Sequence, residues 1–275
     1  MSKSIVDVTS QEFAYGCLPL ARHSQKPRTS GLTVVVDGMD AGFISLAEVE
    51  QLGDFSAPYI DYLKLGWLIP RLVPASLLAR KIAALHLLQI RVFAGGMALE
   101  YALIHNKVGE FLDECATLKL DAVEISTSGA YVSLRRQRDL VAEILDRGLE
   151  VFVELGRKGS AFDPSAVDVL SHLEVFQTLG AARIIVESER IESMDGKGLL
   201  DGFLEELSRH DCTPLIIELP YGISFPHLLP LASRLFGILG PEANVANIDL
   251  RHVLALETAR TGTCFGDLFG LMPTE

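Results

Sequence analysis

The chain has 275 residues with a formal net charge of −12 at pH 7, and 49% of its residues are hydrophobic. This length suits a single α/β barrel domain. The acidic balance, without a visible basic face, argues against a nucleic-acid partner, and no apolar stretch approaches the ~20 residues of a membrane-spanning helix.

The amino-terminal segment, residues 1–31, precedes the first predicted strand and lacks the apolar core of a secretory signal peptide. The four cysteines form no Cys-x-x-Cys pair, so we expect reduced thiols rather than disulfides. We therefore expect a cytoplasmic protein with an N-terminal extension, residues 1–31, followed by one barrel domain, residues 32–275.

Eight short β-rich apolar runs recur along the chain, and a segment with helical periodicity follows each one. The runs cover residues 32–37, 59–65, 90–94, 122–126, 150–154, 182–187, 214–218 and 244–248. Their repeat is typical of βα units. Continuous apolar stretches such as residues 34–36 and 184–186 indicate strands that are buried on both faces, as in a parallel sheet.

Eight βα units close most simply into an α/β fold of the (β/α)8 TIM barrel type. An open doubly wound sheet is the alternative, and it is weakened because no Gly-x-Gly-x-x-Gly follows the first run. Three helices are clear from their apolar stripes, at residues 74–88, 133–146 and 164–179. For the last of them, Asp163 is the predicted N-cap and Pro164 the predicted first-turn residue.

The active site of such a barrel lies at the carboxyl ends of its strands. Polar residues and glycines stand at or just beyond these ends: Asp37, Lys64, Gly95, Gly96, Glu100, Glu124, Ser126, Glu154, Lys158, Glu187, Glu189, Glu218, Asn247 and Asp249. Gathered carboxylates repel one another unless a cation or a lysine neutralises them. We therefore predict a bound Mg²⁺ and assign Glu124, Glu187 and Glu218 as its ligands, because Mg²⁺ prefers oxygen donors.

Lys64 lies in an otherwise apolar strand, where an unpaired ammonium is costly to bury. It therefore either pairs with a neighbouring Glu or contacts substrate, and we predict a catalytic role. A barrel lysine can also form a Schiff base, so an aldolase-type reaction that uses Lys64 stays an alternative.

The substrate is predicted to be small and anionic. Gly95 and Gly96 permit close backbone approach to an anion, and Ser126 and Asn247 follow strand ends. The loop Glu-Leu-Gly-Arg-Lys at 154–158 brings Lys158 close after a strand, where it can reach a substrate carboxylate or donate a proton.

Several segments together resemble the phosphosulfolactate synthase family, over roughly residues 26–270. The carriers of this resemblance are Lys-Pro-Arg at 26–28, Gly-Leu-Thr at 31–33, Tyr-Ile-Asp-Tyr-Leu-Lys-Leu-Gly-Trp at 59–67, Phe-Ala-Gly-Gly-Met-Ala-Leu-Glu-Tyr-Ala at 93–102, Ala-Val-Glu-Ile-Ser at 122–126, Glu-Leu-Gly-Arg-Lys at 154–158, Asn-Val-Ala-Asn-Ile at 244–248 and Leu-Glu-Thr-Ala-Arg at 256–260. The order and spacing of these segments are more specific for the family than any single segment is.

The resemblance implies a (β/α)8 barrel that forms a homo-oligomer and catalyses the Mg²⁺-dependent addition of sulfite to phosphoenolpyruvate, in coenzyme M biosynthesis. It also implies that Lys158 is the general acid. Together with the strand-end reading, it places Lys64 and Glu154 in the catalytic group and makes Arg260, which survives from an arginine-rich motif, a substrate-binding residue.

The chain departs from the family pattern at residues 68–70, 127–128, 187–193 and 261–264. Leu68, Ile69 and Pro70 stand where the family has smaller or more polar residues, which predicts a more apolar pocket. Fewer arginines near an anion site weaken phosphate or sulfonate binding. A changed nucleophile or acceptor is therefore one alternative, and a non-catalytic, stress-related or regulatory member of the family is another.

Overall fold

The computed structural model describes residues 14–15, 25–38, 43–52, 55–127, 132–155, 165–220, 222 and 224–264. Eight strands alternate with helices along these residues. The strands are β1 (Thr33–Asp37), β2 (Tyr62–Leu65), β3 (Arg91–Ala94), β4 (Ala122–Ile125), β5 (Glu150–Leu155), β6 (Arg183–Val186), β7 (Leu215–Glu218) and β8 (Asn244–Ile248). Each coincides with one of the eight predicted runs, although the ends differ by a few residues.

Ten α-helices accompany the strands in the described part of the chain. They are α1 (Leu46–Leu52), α2 (Ala75–Leu87), α3 (Gly96–Ile104), α4 (Val108–Thr117), α5 (Leu134–Leu145), α6 (Ala166–Thr178), α7 (Ser188–Gly196), α8 (Leu200–Leu207), α9 (Phe225–Leu239) and α10 (Val253–Arg260). The three helices predicted from apolar stripes correspond to α2, α5 and α6.

The strands form a closed barrel in chain order, and every neighbouring pair is parallel. Closure is completed by β1 and β8, where Thr33 pairs with Val245 and Val35 with Ile248. The uneven step between these two pairs marks a bulge in β8. The predicted (β/α)8 TIM barrel is thereby confirmed.

Alternate strand residues face the barrel interior, because successive side chains of a strand point to opposite faces. A buried apolar cluster fills this interior; its members are Leu32, Val34, Tyr62, Phe93, Ala122, Phe152, Ile185, Ile216 and Ala246. The ring centroids of Tyr62 and Phe152 are 5.4 Å apart, and those of Phe93 and Phe152 are 4.9 Å apart. The barrel therefore has a packed interior instead of a pore, and this cluster forms the floor of its carboxyl end.

Residues 25–31 of the extension lie against the amino ends of the strands. The Arg28 guanidinium donates to both carboxylate oxygens of Asp61, at 3.0 and 2.8 Å. Asp61, just before β2, also accepts the backbone N–H of Thr33 at 2.9 Å. This buried ion pair fastens residues 25–31 to the barrel, at the end opposite the predicted active site.

Two local predictions were wrong in detail. The second run was predicted to be a strand from residue 59, but Ala57–Tyr59 form a 3-10 turn and β2 begins at Tyr62. Pro58 suits the first turn of a helix better than a strand. At α6 the N-cap is Ser165, which forms a capping box with Asp168; Asp163 and Pro164 lie outside the described residues.

No helix among the described residues combines the length and the apolar character needed to cross a membrane.

Candidate active site

Lys64 occupies the centre of the carboxyl end of the barrel. Its Nζ lies 2.7 Å from Glu124 Oε2, 2.8 Å from Glu218 Oε1 and 4.0 Å from Glu154 Oε2. All four side chains are buried. The sequence predicted that Lys64 either pairs with a neighbouring Glu or contacts substrate, and the structure shows the pairing.

Glu124, Glu154 and Glu218 extend from β4, β5 and β7 and form what we term the carboxylate ring. Each offers one carboxylate oxygen, and these oxygens lie within 4.8 Å of one another. Three carboxylates outnumber the single ammonium of Lys64, so the formal charge of this group is negative. Oxygen donors that converge in this way fit a small hard cation such as Mg²⁺.

The ammonium form of Lys64 is strongly favoured. Burial by itself lowers the pKa of a lysine, but Glu124, Glu218 and Glu154 together outweigh burial and hold the pKa of Lys64 well above its usual value. A Schiff base requires the neutral amine as nucleophile. The electrostatics of the site therefore disfavour the alternative of an aldolase that uses Lys64.

Gly95 and Gly96 shape the wall beside the carboxylate ring at the start of α3. The N–H of Gly96 donates to Glu124 Oε1 at 3.0 Å, a contact that the dipole of a helix N-terminus favours. A Cβ at Gly96 would lie 2.5 Å from both Cβ and Oγ of Ser126, and a Cβ at Gly95 would lie 2.9 Å from the carbonyl oxygen of Leu65. Both glycines thus permit close packing within the protein, and one of them binds a ring carboxylate directly.

Ser126 lies two residues beyond Glu124, on the same side of β4, and its hydroxyl donates to Glu100 Oε1 of α3. Both side chains are buried. Glu100 was expected just beyond the third strand, but no role was predicted for it. The available signal was a single acidic residue in the otherwise apolar helix α3, one turn after Gly96, because residues four apart share a helix face.

Glu187 is buried but is not one of the three carboxylates that form the ring. It is the N-cap of α7, where its Oε2 accepts the N–H of Glu189 at 2.7 Å and its Oε1 accepts the Ser188 hydroxyl at 3.2 Å. Helix capping is therefore the role that the geometry gives this side chain. The structure favours Glu154 over Glu187 as the third candidate ligand.

Arg260 is not brought to the carboxylate ring. Its guanidinium donates to the carbonyl oxygens of Pro241 and Ala243 and to the hydroxyl of Thr33, which lie at the amino ends of β8 and β1. Contrary to the prediction, Arg260 is therefore not positioned to bind substrate, because α10 ends at the opposite end of the barrel from the site. Its buried side chain secures that end instead.

Asp37 also points away from the site. It forms a buried ion pair with Lys81 of α2, and its Oδ1 accepts the N–H of Ile44 at 2.7 Å. Lys81 Nζ lies 3.7 Å from the centroid of the Phe43 ring. This strand-end carboxylate therefore anchors the segment after β1 on the helix side of the sheet.

Asn247 lies at the bulge of β8, close to the carboxyl end, with a positive φ of 63°. Its side chain is half-buried. Lys158 and its neighbour Arg157 lie outside the described residues, so the general-acid role of Lys158 stays a prediction.

The rim of the site is apolar on the side of β2. Residues 69–72 form a short 3-10 turn, and the Ile69 side chain packs over Gly38, where a Cβ would clash with its Cδ1. Trp67 and Leu72 expose much of their surface. Together with Leu68, Ile69 and Pro70, these residues give the rim an apolar character.

Comparisons with known proteins agree over most of the chain. Residues 21–266 match the family model of (2R)-phospho-3-sulfolactate synthase (ComA). The phosphosulfolactate synthase of Methanocaldococcus jannaschii is 32% identical over 253 residues, which cover 87% of this chain and 94% of that protein. The phosphosulfolactate synthase of Methanothermobacter thermautotrophicus is 27% identical over 254 residues, which cover 90% of this chain and 94% of that protein.

Solved structures support the fold alone. The carboxyl transferase domain of pyruvate carboxylase from Rhizobium etli superimposes with a TM-score of 0.55 at 9% identity, covering 79% of this chain and 39% of that chain. An identity this low carries no information on the reaction.

Proposed function

The chain belongs to the (2R)-phospho-3-sulfolactate synthase family and is a lyase, and from this premise we propose that it adds sulfite, or a related sulfur nucleophile, to phosphoenolpyruvate. The observation that carries the proposal is the convergence of Lys64 with Glu124, Glu154 and Glu218 at the carboxyl end of the barrel. The presence of Lys64 and Glu154 in this group argues against the non-catalytic alternative, because a site without activity is free to lose them.

We propose Mg²⁺ as the cofactor, with Glu124, Glu154 and Glu218 as the side chains that hold it. Their oxygens lie within 4.8 Å of one another, and such a donor set suits Mg²⁺, which usually keeps several water ligands. Phosphoenolpyruvate is an anion, and the carboxylate ring repels anions unless further positive charge is present. When bound, the cation supplies charge that stabilises an anionic intermediate.

The proposed reaction is an addition to a carbon–carbon double bond. The sulfur lone pair of sulfite forms a bond to the terminal carbon of phosphoenolpyruvate, and the π electrons move onto the carboxylate as an aci-carboxylate. A proton then adds to the carbon that bears the phosphate, and no group leaves. Lys158 is proposed as the donor of that proton, and Lys64 as the cation that holds the substrate carboxylate or phosphate.

The test is product formation from sulfite and phosphoenolpyruvate with Mg²⁺, followed by mass spectrometry, in wild type and Lys158→Ala. Loss of a general acid lowers kcat by about 10²–10⁴-fold. Thermal denaturation checks binding separately, because a ligand at 100 times its Kd stabilises by about 2.7 kcal/mol. Lys158→Ala should keep most of this stabilisation, and Lys119→Ala, which changes an exposed lysine near the amino end of β4, should keep both properties.

The outcomes separate the parts of the proposal. If phosphoenolpyruvate stabilises the protein in a Mg²⁺-dependent way but sulfite gives no product, the chain binds the enol phosphate and uses a nucleophile other than sulfite. If phosphoenolpyruvate never stabilises the protein, the proposed substrate is wrong. The homo-oligomer implied by the family resemblance stays a prediction, which light scattering of the purified chain measures.

A further inference from the structure

The two carboxylate oxygens of Glu124 have different neighbours, a backbone N–H at one and the Lys64 ammonium at the other. Oε1 of Glu124 accepts the N–H of Gly96 at 3.0 Å, so its second oxygen, Oε2, is the atom that faces the ring. This Oε2 lies 2.7 Å from Lys64 Nζ. A cation that binds Glu124 through Oε2 therefore shares that oxygen with the ammonium.

Sharing this oxygen between two cations is unfavourable. The ammonium and a divalent ion on the same oxygen lie within a few ångströms and repel each other. Lys64 is only 8% exposed and Glu124 only 1% exposed, so water screens this repulsion poorly. The two cations therefore compete for the carboxylate ring.

The flank of the Lys64 side chain lies against a glycine. A Cβ at residue 95 would lie 3.2 Å from Cε and 3.7 Å from Cγ of Lys64. Because residue 95 is glycine, no side chain of that residue covers this side of the stem. The stem itself is a flexible chain of four carbons. A larger residue at position 95 would crowd the Lys64 stem, so Gly95 is the residue type that interferes least with a change of its rotamer.

We propose that the Lys64 ammonium and a divalent cation are alternative occupants of the carboxylate ring, and that cation binding releases Lys64 to bind an anionic group of the substrate. This inference rests on the proposed function. Cation and anion then bind with positive coupling, and the coupling is reciprocal because it is a property of the binding free energies.

Calorimetric titration with MgCl2 tests the competition in wild type, Lys64→Met and Lys81→Met. Lys64→Met removes the competing ammonium, so Mg²⁺ should bind about tenfold or more tightly than to wild type, within the usual range of such couplings. Lys81→Met removes another buried lysine, one paired with Asp37 on the helix side of the sheet, and should leave the Mg²⁺ affinity within about twofold of wild type.

A second arm needs no variant. In wild type with ¹⁵N-labelled lysine, the ammonium resonance of Lys64 should move when MgCl2 is added, and should move again when phosphoenolpyruvate follows. Mg²⁺ should raise the phosphoenolpyruvate affinity of wild type about tenfold, and Lys64→Met should lose most of that increase.

The inference is overturned if Lys64→Met binds Mg²⁺ no more tightly than wild type, or if the Lys64 resonance is unchanged at saturating Mg²⁺. In either case the cofactor assignment survives, because Mg²⁺ still binds. Absence of Mg²⁺ binding in every variant overturns both the competition and the proposed cofactor.

Discussion

Gly96 allows the backbone of α3 to pack directly on β4. A Cβ at this position would lie 2.5 Å from two atoms of Ser126 and 3.0 Å from Glu124 Oε1. We expect Gly96→Ala to displace Ser126 and to lower the free energy of unfolding by about 1–3 kcal/mol, the usual cost of overpacking. Urea denaturation measures the loss.

A second substitution makes this expectation specific. Ser126→Gly removes the side chain that the new methyl group meets. The double variant Gly96→Ala/Ser126→Gly should therefore be nearly as stable as Ser126→Gly alone. Gly237→Ala is the control, because this glycine lies inside α9 and no neighbouring atom of the described residues comes within 4 Å of its Cβ position. Alanine there should stabilise by about 0.5–1 kcal/mol. Additive losses in the double variant would show that no such clash exists.

Residue type and strand position were sufficient to predict that Lys64, Glu124, Glu154 and Glu218 come together. They were not sufficient to predict which way each strand-end side chain points. Asp37 faces Lys81 on the helix side, and this depends on the phase of β1. Glu187 is used as a helix cap, and a carboxylate that caps a helix has the same sequence signature as one that binds a metal.

At the scale of elements, β8 is the irregular strand of the barrel. Its pairing with β1 shifts between Thr33 and Val35, and Asn247 adopts a φ of 63° in this region. Asparagine tolerates this left-handed conformation better than most residues, whereas a β-branched residue does not. The bulge thereby sets the direction of the Asn247 side chain at the carboxyl end of the barrel.

Asn247→Gly removes the amide side chain but permits the same backbone bulge, so it tests the two contributions separately. Glycine adopts a positive φ freely, so we expect the free energy of unfolding to stay within about 0.5 kcal/mol of wild type, whereas Asn247→Val should lose about 1–2 kcal/mol. If the amide binds substrate as predicted, Asn247→Gly weakens phosphoenolpyruvate binding by about tenfold, the value of one good hydrogen bond to a charged group.

Asn106→Gly is the matched control, because Asn106 has a φ of 55° between α3 and α4, where it is exposed. It should leave phosphoenolpyruvate binding unchanged in calorimetry. If wild type and Asn247→Gly bind phosphoenolpyruvate with equal affinity, Asn247 is not part of the substrate site.

The elements were more predictable than their ends. Runs such as residues 34–36 and 184–186 are buried strands because they are apolar and β-branched throughout, and this is visible without tertiary structure. The start of β2 was misplaced, because Pro58 was its only local signal and Asp61 is bound by Arg28 and the N–H of Thr33, which are far from it in sequence. Tertiary contacts of this kind leave no local pattern.

At the scale of the whole molecule, the two ends of the barrel are chemically different. The carboxyl end collects acidic side chains around Lys64, and the amino end carries basic residues of the extension and of α10. Lys26 lies at the amino end, where its Nζ donates to the carbonyl oxygens of Leu88 and Gln89 at 3.4 and 3.2 Å. Burial there lowers the pKa of Lys26 to about 7, although Asp61 opposes the shift.

This lowered pKa predicts a pH dependence of stability. The folded chain loses the Lys26 proton near pH 7, whereas the unfolded chain keeps it up to about pH 10.4. Between these values the unfolded state binds more protons, so the free energy of unfolding rises with pH. Below pH 7 Lys26 is protonated in both the folded and the unfolded chain, so the burial of its charge lowers the free energy of unfolding by the full amount.

Lys26→Met removes this titration, and it should therefore gain stability relative to wild type most at pH 6 and progressively less at pH 7.5 and pH 9. Urea denaturation at the three pH values measures the difference. Lys119→Met is the control, since Lys119 is exposed and its replacement should change stability equally at each pH. A difference between Lys26→Met and wild type that does not vary with pH would mean that Lys26 keeps an ordinary pKa in the folded chain. The Lys26 ammonium would then lie in water, and contacts such as the ion pair of Arg28 with Asp61 would hold this segment on the barrel without it.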